Sequence, residues 1–380
     1  MNMPTEEHDA FRDVVRDFAR RELAPHVDRW EAARELPMEA VAKMAELGLF
    51  GIAFEEQWGG GGGDFTSLCI AIEEVGYVSQ SLGITLSAGV GLGANPIHSF
   101  GTEEQKARWL PDLVAGTHLG AFGLTEPDAG SDAGATRTKA EYDAGVDEWV
   151  INGSKAFITN CGTPITSVVT VTALTGPGEI SSFIVPAGTP GMIIEPAYDK
   201  LGWHASDTHG ITLVDCRVPA ANMLGPRGTG FRNFLAILDD GRIAISALAL
   251  GAARACLDMS VDYAKERSAF GGPIGRYQGL AFPLADLAVA VENSRLLTYQ
   301  AAALKDAGRP FKQAAAMAKL YSTETAVSAA RTATQVFGGS GFIEGPIARL
   351  YRDVKVLEVG EGTSEIQRLV IARGLGLPVG

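Results

Sequence analysis

The sequence predicts a multidomain α+β protein with a helical first third (1–118), a central antiparallel β segment of barrel or sandwich type (119–230) and a helical last third (231–380). Three observations predict it. Eight of the 18 prolines fall in the central segment, the shortest of the three, so turn formers are densest there. Runs of β-branched residues bounded by Gly, Pro and Asp lie in the same stretch, at Ile165 to Ala173, Ile180 to Pro186 and Ile211 to Val214. The flanks instead repeat apolar residues three to four apart, as in Phe11, Val14, Val15, Phe18 and Leu23, with charged residues between them.

Taken in order, the periodicity predicts helices near 6–34, 38–47, 64–79 and 103–115. Gly59 to Gly63 reads as a flexible surface loop, because no strand-to-helix GxGxxG surrounds it. Within the β segment, 147–151 and 154–159 flank Asn152-Gly153, a dipeptide that supplies the positive φ angles of a tight hairpin turn. After Gly230 come helices at about 231–267, 277–307 and 310–337, broken by Gly271-Gly272-Pro273 and Gly308-Arg309-Pro310. Three helices of that length suit an up-and-down bundle.

Composition narrows the function classes. The 32 Lys and Arg against 45 Asp and Glu give a net charge of −13, and no basic run offers a face for nucleic acid or anionic lipid. Cys69, Cys161, Cys216 and Cys256 are widely separated, which argues against structural zinc and for free thiols in a reducing compartment. No stretch approaches the length of an apolar membrane span, and the acidic N-terminus lacks the look of a secretory or transit signal, so a cytoplasmic protein is the expectation. HExxH, GxxxxGK[ST] and GxSxG are absent.

Five polar clusters in apolar or glycine-rich settings remain. Leu124 to Gly134 places glycines at 130 and 134 and hydroxyls at Thr125 and Ser131, so that backbone N–H groups and hydroxyls can meet an anion, although a capped turn has the same composition. Lys155 to Asn160 sets Phe157 and Thr159 two apart on one strand face, where a planar ring can stack. Asp239 and Arg242 share a helix face, as an ion pair or a ligand site. Phe337 to Phe342 is a glycine cluster at a helix end. Gly360-Glu361-Gly362 exposes a carboxylate between glycines, with Thr363 or Ser364 to cap the helix that follows.

Together and in this order, these clusters resemble the acyl-CoA dehydrogenase family over almost the whole chain. The segments that carry the resemblance are Thr125 to Asp132, Asn152 to Asn160, Arg267-Ser268-Ala269-Phe270-Gly271, Gln335 to Phe342, and Arg352 to Lys355 ahead of Glu361 to Arg368. The resemblance implies an N-terminal helical domain, a central β domain and a C-terminal four-helix bundle, its fourth helix running from Thr363, with non-covalent FAD and a homotetramer built from dimers. It further implies that Phe122, Leu124, Thr125, Gly130, Ser131, Phe157, Ile158 and Thr159 hold the flavin, and that Thr363 and Glu365 touch it. Arg267, Phe270, Gln278, Gln335, Gly338 and Gly339 would reach the FAD of a neighbouring subunit.

Glu361 matches the family's catalytic base. Ser131, Asp239, Arg242 and Gly362 match substrate positions. The activity implied is α,β-dehydrogenation of a short-chain or short-branched acyl-CoA to the trans-2-enoyl-CoA, with proton transfer to Glu361, hydride transfer to flavin N5 and electron-transferring flavoprotein as acceptor. An acyl-carrier-protein dehydrogenase, an acyl-CoA oxidase and, more remotely, a non-catalytic flavoprotein share the same fold. The sequence departs from the family at Phe157, often Trp, at His204, commonly Arg, and at Gly360, often bulkier. Gly241 stands where one branch of the family carries its base instead.

Overall fold

The computed structural model describes residues 4–379. The first third folds as α1 Glu6–Phe18, α2 Val27–Ala33, α3 Met38–Glu46, α4 Phe65–Val78, α5 Gln80–Ala88, α6 Asn95–Phe100 and α7 Glu103–Val114. The expected single helix over 6–34 is interrupted by a π turn at Ala19–Leu23 and a 3₁₀ turn at Ala24–His26, where Pro25 removes a backbone donor. α5 and α6 escape the periodicity because α5 is buried all round and so presents no polar face to alternate with. The Gly59 to Gly63 segment is not a loose loop: the N–H groups of Gly60, Gly61, Gly62 and Gly63 bond back to carbonyls of Glu55, Gly51, Phe54 and Ile52.

The central strands are β1 Leu119–Gly123, β2 Lys139–Asp143, β3 Glu148–Thr159, β4 Thr166–Gly176, β5 Glu179–Pro186, β6 Met192–Ile194 and β7 Thr208–Pro219. They form one open sheet in the order β1-β4-β2-β3-β7-β6, with β5 paired to β4. It is neither closed nor wholly antiparallel, since β1 enters parallel to β4. The β2–β3 hairpin separates these two strands in the chain, and period-two patterning carries no strand direction. The expected turn at Asn152-Gly153 is a bulge inside β3, where the register against β7 shifts between Ile151 and Gly153. Strands on both sides of the dipeptide pair with the same partner, so the real hairpin turn lies at 144–147. Gly153 sits at φ +152, and a Cβ there would lie 2.5 Å from Thr138 Oγ1, which makes the bulge a point of close approach to the segment entering β2.

The last third comprises α8 Gly230–Glu266, a short hairpin of β8 Ser268–Ala269 and β9 Gly272–Pro273, α9 Gln278–Asp306, α10 Lys312–Phe337, α11 Gly339–Phe342, α12 Pro346–Asp353 and α13 Ser364–Gly374. One apolar core runs through both helical segments, from Val15 and Leu68 to Leu248 and Ala326, whereas the sheet has its own core around Trp149, Ile151, Phe183 and Leu213. A buried ionic knot ties the helical parts further. Arg12 of α1 bonds Glu73 (2.8 Å) and Glu74 (2.7 Å) of α4, and Arg254 of α8 meets the same two acids. The ends of the chain therefore pack as one body, with the base of α8 pressed between the helices and the sheet. Among the described residues no helix is long and apolar enough to cross a membrane, and all four cysteines are free and buried.

Candidate active site

Glu361 sits in the loop between α12 and α13. Its backbone is left-handed at φ +53 and is followed by Gly362 at +92, a conformation that a residue with a Cβ adopts only when its surroundings hold it. They do so through the carbonyls. Lys319 Nζ, from α10, donates to the Gly362 carbonyl (2.8 Å), and Gln367 Nε2 donates to the same oxygen (2.8 Å) and to the Glu361 carbonyl (3.4 Å). Thr363 then caps α13 by accepting from Ile366 N (3.3 Å).

This turn lays the Glu361 side chain on the backbone of α8. A Cβ placed at Gly241 would lie 1.8 Å from Glu361 Oε2, so only glycine leaves room for the carboxylate. Oε2 is buried and has no hydrogen-bond partner among the described residues, although the residue as a whole is partly exposed. Burial pushes the Glu361 carboxyl up to about 7, against the pull of Lys319 and Arg242 and with a smaller push from Asp240. A carboxylate poised near neutrality beside empty polar valences has the properties of a general base.

The helix beneath it is charged but closed to solvent. Arg242 Nη1 bonds Asp239, and both side chains are largely buried, so the pair is no surface bridge. Burial raises the Asp239 carboxyl, and Arg242 Nε remains buried without a partner. Asp240 is held by Lys305 (2.8 Å) and by Asn95 Nδ2 (3.0 Å), which ties α6 and α9 to the same turn.

The second part of the site lies on the sheet. Phe122 stacks on Phe234 at 4.1 Å and Leu124 joins the same apolar cluster, which anchors the end of β1 on the first turns of α8. Beyond it, Ala156 N donates to the Thr125 carbonyl (2.9 Å), setting the 124–131 loop against β3. Glu126 is the loop's anchor. Its carboxylate accepts from Arg137 N (2.7 Å), Thr138 N (3.1 Å) and the buried Lys155 Nζ (2.8 Å). Phe157 turns outward at φ +60 and is 66% exposed, with Tyr198 beside it at 5.1 Å, while Thr159 faces the same way and Ile158 points into the sheet core. An outward aromatic ring next to a hydroxyl and a loop with exposed Gly130 and Ser131 fits a planar ring system with a phosphate tail. Because the Phe122, Leu124 and Ile158 side chains are committed to apolar packing, only their backbone groups are left to meet such a cofactor.

The remaining sequence candidates are elsewhere. Arg267, Phe270, Gln278, Gln335, Gly338 and Gly339 are all exposed and gather at the opposite end of the bundle, where Tyr263 stacks on Phe337 at 4.1 Å. Gln335 lies ~24 Å further along α10 than Lys319, so one chain does not bring this group to Glu361. His204 bonds the Lys200 carbonyl (2.9 Å) and, through its N–H, Glu31 (3.1 Å), in a separate cleft shared with Arg34 and Arg352. Glu365 is exposed on the first turn of α13.

Sequence reasoning missed Lys319 and Asn95, and quoted Glu126, Lys155 and Gln367 without giving them partners. Lys319 had a readable signal: it occupies the stripe of Ala315, Ala318, Ser322 and Ala326, all buried, where a charge requires a purpose.

The chain matches three family models, described as the acyl-CoA dehydrogenase N-terminal domain (residues 5–117), middle domain (121–216) and C-terminal domain (228–376). It is 51% identical over 377 residues to a probable acyl-CoA dehydrogenase, YngJ, of Bacillus subtilis, covering 98% of each chain. The structure of butyryl-CoA dehydrogenase from Megasphaera elsdenii superposes with a TM-score of 0.95 at 41% identity, covering 99% of both chains. A glutaryl-CoA dehydrogenase from Mycobacterium smegmatis in complex with FADH2 gives 0.93 at 32% identity, covering 98% of this chain and 95% of that one.

Proposed function

Because the chain belongs to the acyl-CoA dehydrogenase family, we propose that it dehydrogenates a short-chain or short-branched acyl-CoA to the trans-2-enoyl-CoA, with Glu361 as the base and FAD as the cofactor. The observation that carries this reading is the buried, unpartnered Glu361 Oε2 lying on Gly241. The butyryl-CoA dehydrogenase at 41% identity supports a short acyl group, and the neighbour in complex with FADH2 supports the flavin.

A thioester α-hydrogen is a weak acid, so a carboxylate removes it only when the base is desolvated and the developing enolate oxygen is met by donors. Burial supplies the first condition at Glu361. For the second, the Glu361 N–H donates to no group among the described residues and is free to meet a thioester oxygen. Arg242, paired with Asp239 under the loop, keeps local positive charge beside the carboxylate, so that its ionised form stays accessible near pH 7. Thr125, Gly130, Ser131, Phe157 and Thr159 would hold the flavin, through ring stacking on Phe157 and donors from the loop that Glu126 and Lys155 fix. When bound, the flavin would supply the acceptor for the hydride that leaves the β-carbon and carries both electrons with it.

The exposed group at the far end of the bundle completes the proposal. Arg267, Phe270, Gln278 and Gln335 to Gly339 serve the cofactor of a second copy, in a homotetramer built from dimers, and reduced flavin passes its electrons to an electron-transferring flavoprotein. Anaerobic addition of butyryl-CoA to the purified yellow protein tests the reading directly. Flavin bleaching with release of the trans-2-enoyl-CoA is the expected result. A colourless protein contradicts it, as does bleaching by carrier-protein thioesters alone; peroxide formed in step with turnover would make it an oxidase.

A further inference from the structure

We propose that Lys319 is a positioning residue for the base: its ammonium, inside the bundle core, holds the Gly362 carbonyl and with it the left-handed turn that lays Glu361 on Gly241. The proposal rests on Glu361 being the base, and its test separates the two. Lys319 is fully buried in α10, and the protein acceptor its Nζ meets is the Gly362 carbonyl at 2.8 Å. A lysine there costs desolvation, and a methionine of similar length would fill the same core with less penalty. Stability therefore does not account for it. Geometry does, because the loop it grips carries the two positive φ angles at 361 and 362, and among the described residues the other side chain that grips these carbonyls is Gln367, on the Gly362 oxygen and more weakly on that of Glu361.

Charge adds a second effect. The groups facing Glu361 are Lys319 from α10 and Arg242 and Asp240 from α8; those facing Lys319 also include Glu358 and Glu365. Lys319 is the largest of the influences that draw the Glu361 carboxyl back down, while its own ammonium is pushed down to about 8 by burial. Removing the lysine thus loosens the turn and raises the pH at which the base ionises. The two consequences are separable, because glutamine at 319 keeps a donor and loses the charge.

The test uses the flavin-loaded protein with Lys319→Met and Lys319→Gln beside Glu361→Gln. For Lys319→Met, amide exchange at Gly360 to Thr363 is expected to quicken at least ~10-fold, flavin bleaching at pH 7 to slow ~100-fold as the base is misplaced, and the acid limb of the bleaching rate to move to higher pH. Lys319→Gln is expected to keep the exchange protection while its acid limb still moves up. Wild-type exchange and an unmoved limb in Lys319→Met overturn the proposal. Failure of Lys319→Met to fold also overturns it, because the lysine would then be a requirement of the core. If Glu361→Gln still bleaches at the wild-type rate, the base assignment itself falls, whatever the lysine variants do.

Discussion

The two ends of the bundle use their polar residues in opposite ways. At one end Lys319 and Arg242 are buried, Asp239 and Glu361 are partly buried with Glu361 Oε2 enclosed, and the group is cross-linked within a single chain. At the other, Arg267, Phe270, Gln278, Gln335, Gly338 and Gly339 are exposed, and Phe270 is 92% open to solvent. Burial at the first end shifts a carboxyl toward neutrality, which suits it to the proposed role of base. Exposure at the second leaves donors and the Phe270 ring, touched at its edge by Tyr277, open to a ligand from outside. Under the proposed function, the proton-transfer machinery is a property of the monomer fold, whereas the cofactor site is completed between copies.

This contrast is sharpened first at the base. Glu361→Gln is expected to slow flavin reduction by an acyl-CoA at least ~10³-fold, the scale of a lost general base, with flavin content unchanged. Gly241→Ala comes next. Its Cβ would occupy the position of Glu361 Oε2, 1.8 Å away, so the carboxylate must move and bleaching is expected to slow ~100-fold, again with the flavin retained. At the far end the signs reverse. Arg267→Ala is expected to weaken FAD retention ~10-fold or more, the scale of a lost charge-assisted hydrogen bond, while protein that still carries flavin keeps the wild-type pH profile.

The pH profile itself is the finest of these measurements. With the Glu361 carboxyl near 7, the protonated, inactive form dominates below that value. The bleaching rate is expected to rise ~10-fold between pH 6 and its alkaline plateau and to lose this limb in Glu361→Gln. A limb near pH 4.5 would mean that the carboxylate is solvated and that the buried pose on Gly241 is wrong.

Much of this was legible in the sequence because it is written in local patterns. Helix periodicity gave α1, α4, α7 and the long helices α8 to α10, and the Gly360-Glu361-Gly362 segment stood out by composition alone. What escaped was relational. Asn152-Gly153 has the residues of a hairpin turn, but pairing of both flanks with β7 makes it a bulge. α5 is buried on every side, so no periodicity marks it. Asp239 and Arg242 form an i,i+3 pair that reads as a surface bridge until the loop carrying Glu361 is laid over it. Lys319 and Gly362 are far apart in the chain, and only the packing of α10 beneath the loop shows that one holds the other.

The central claim, a base within each chain and a cofactor site shared between chains, is tested most directly by mixing Arg267→Ala and Glu361→Gln at an FAD concentration too low for Arg267→Ala alone to retain the flavin. Arg267→Ala keeps its base and lacks the far-end donor; Glu361→Gln keeps the donor and lacks the base. Unfolded together and reassembled in equal amounts with FAD, they are expected to regain about a quarter of the wild-type bleaching sites, since half of the random dimers are mixed and each of those has one intact site. No recovery above the separately reassembled variants would contradict the claim and confine Arg267 to its own chain.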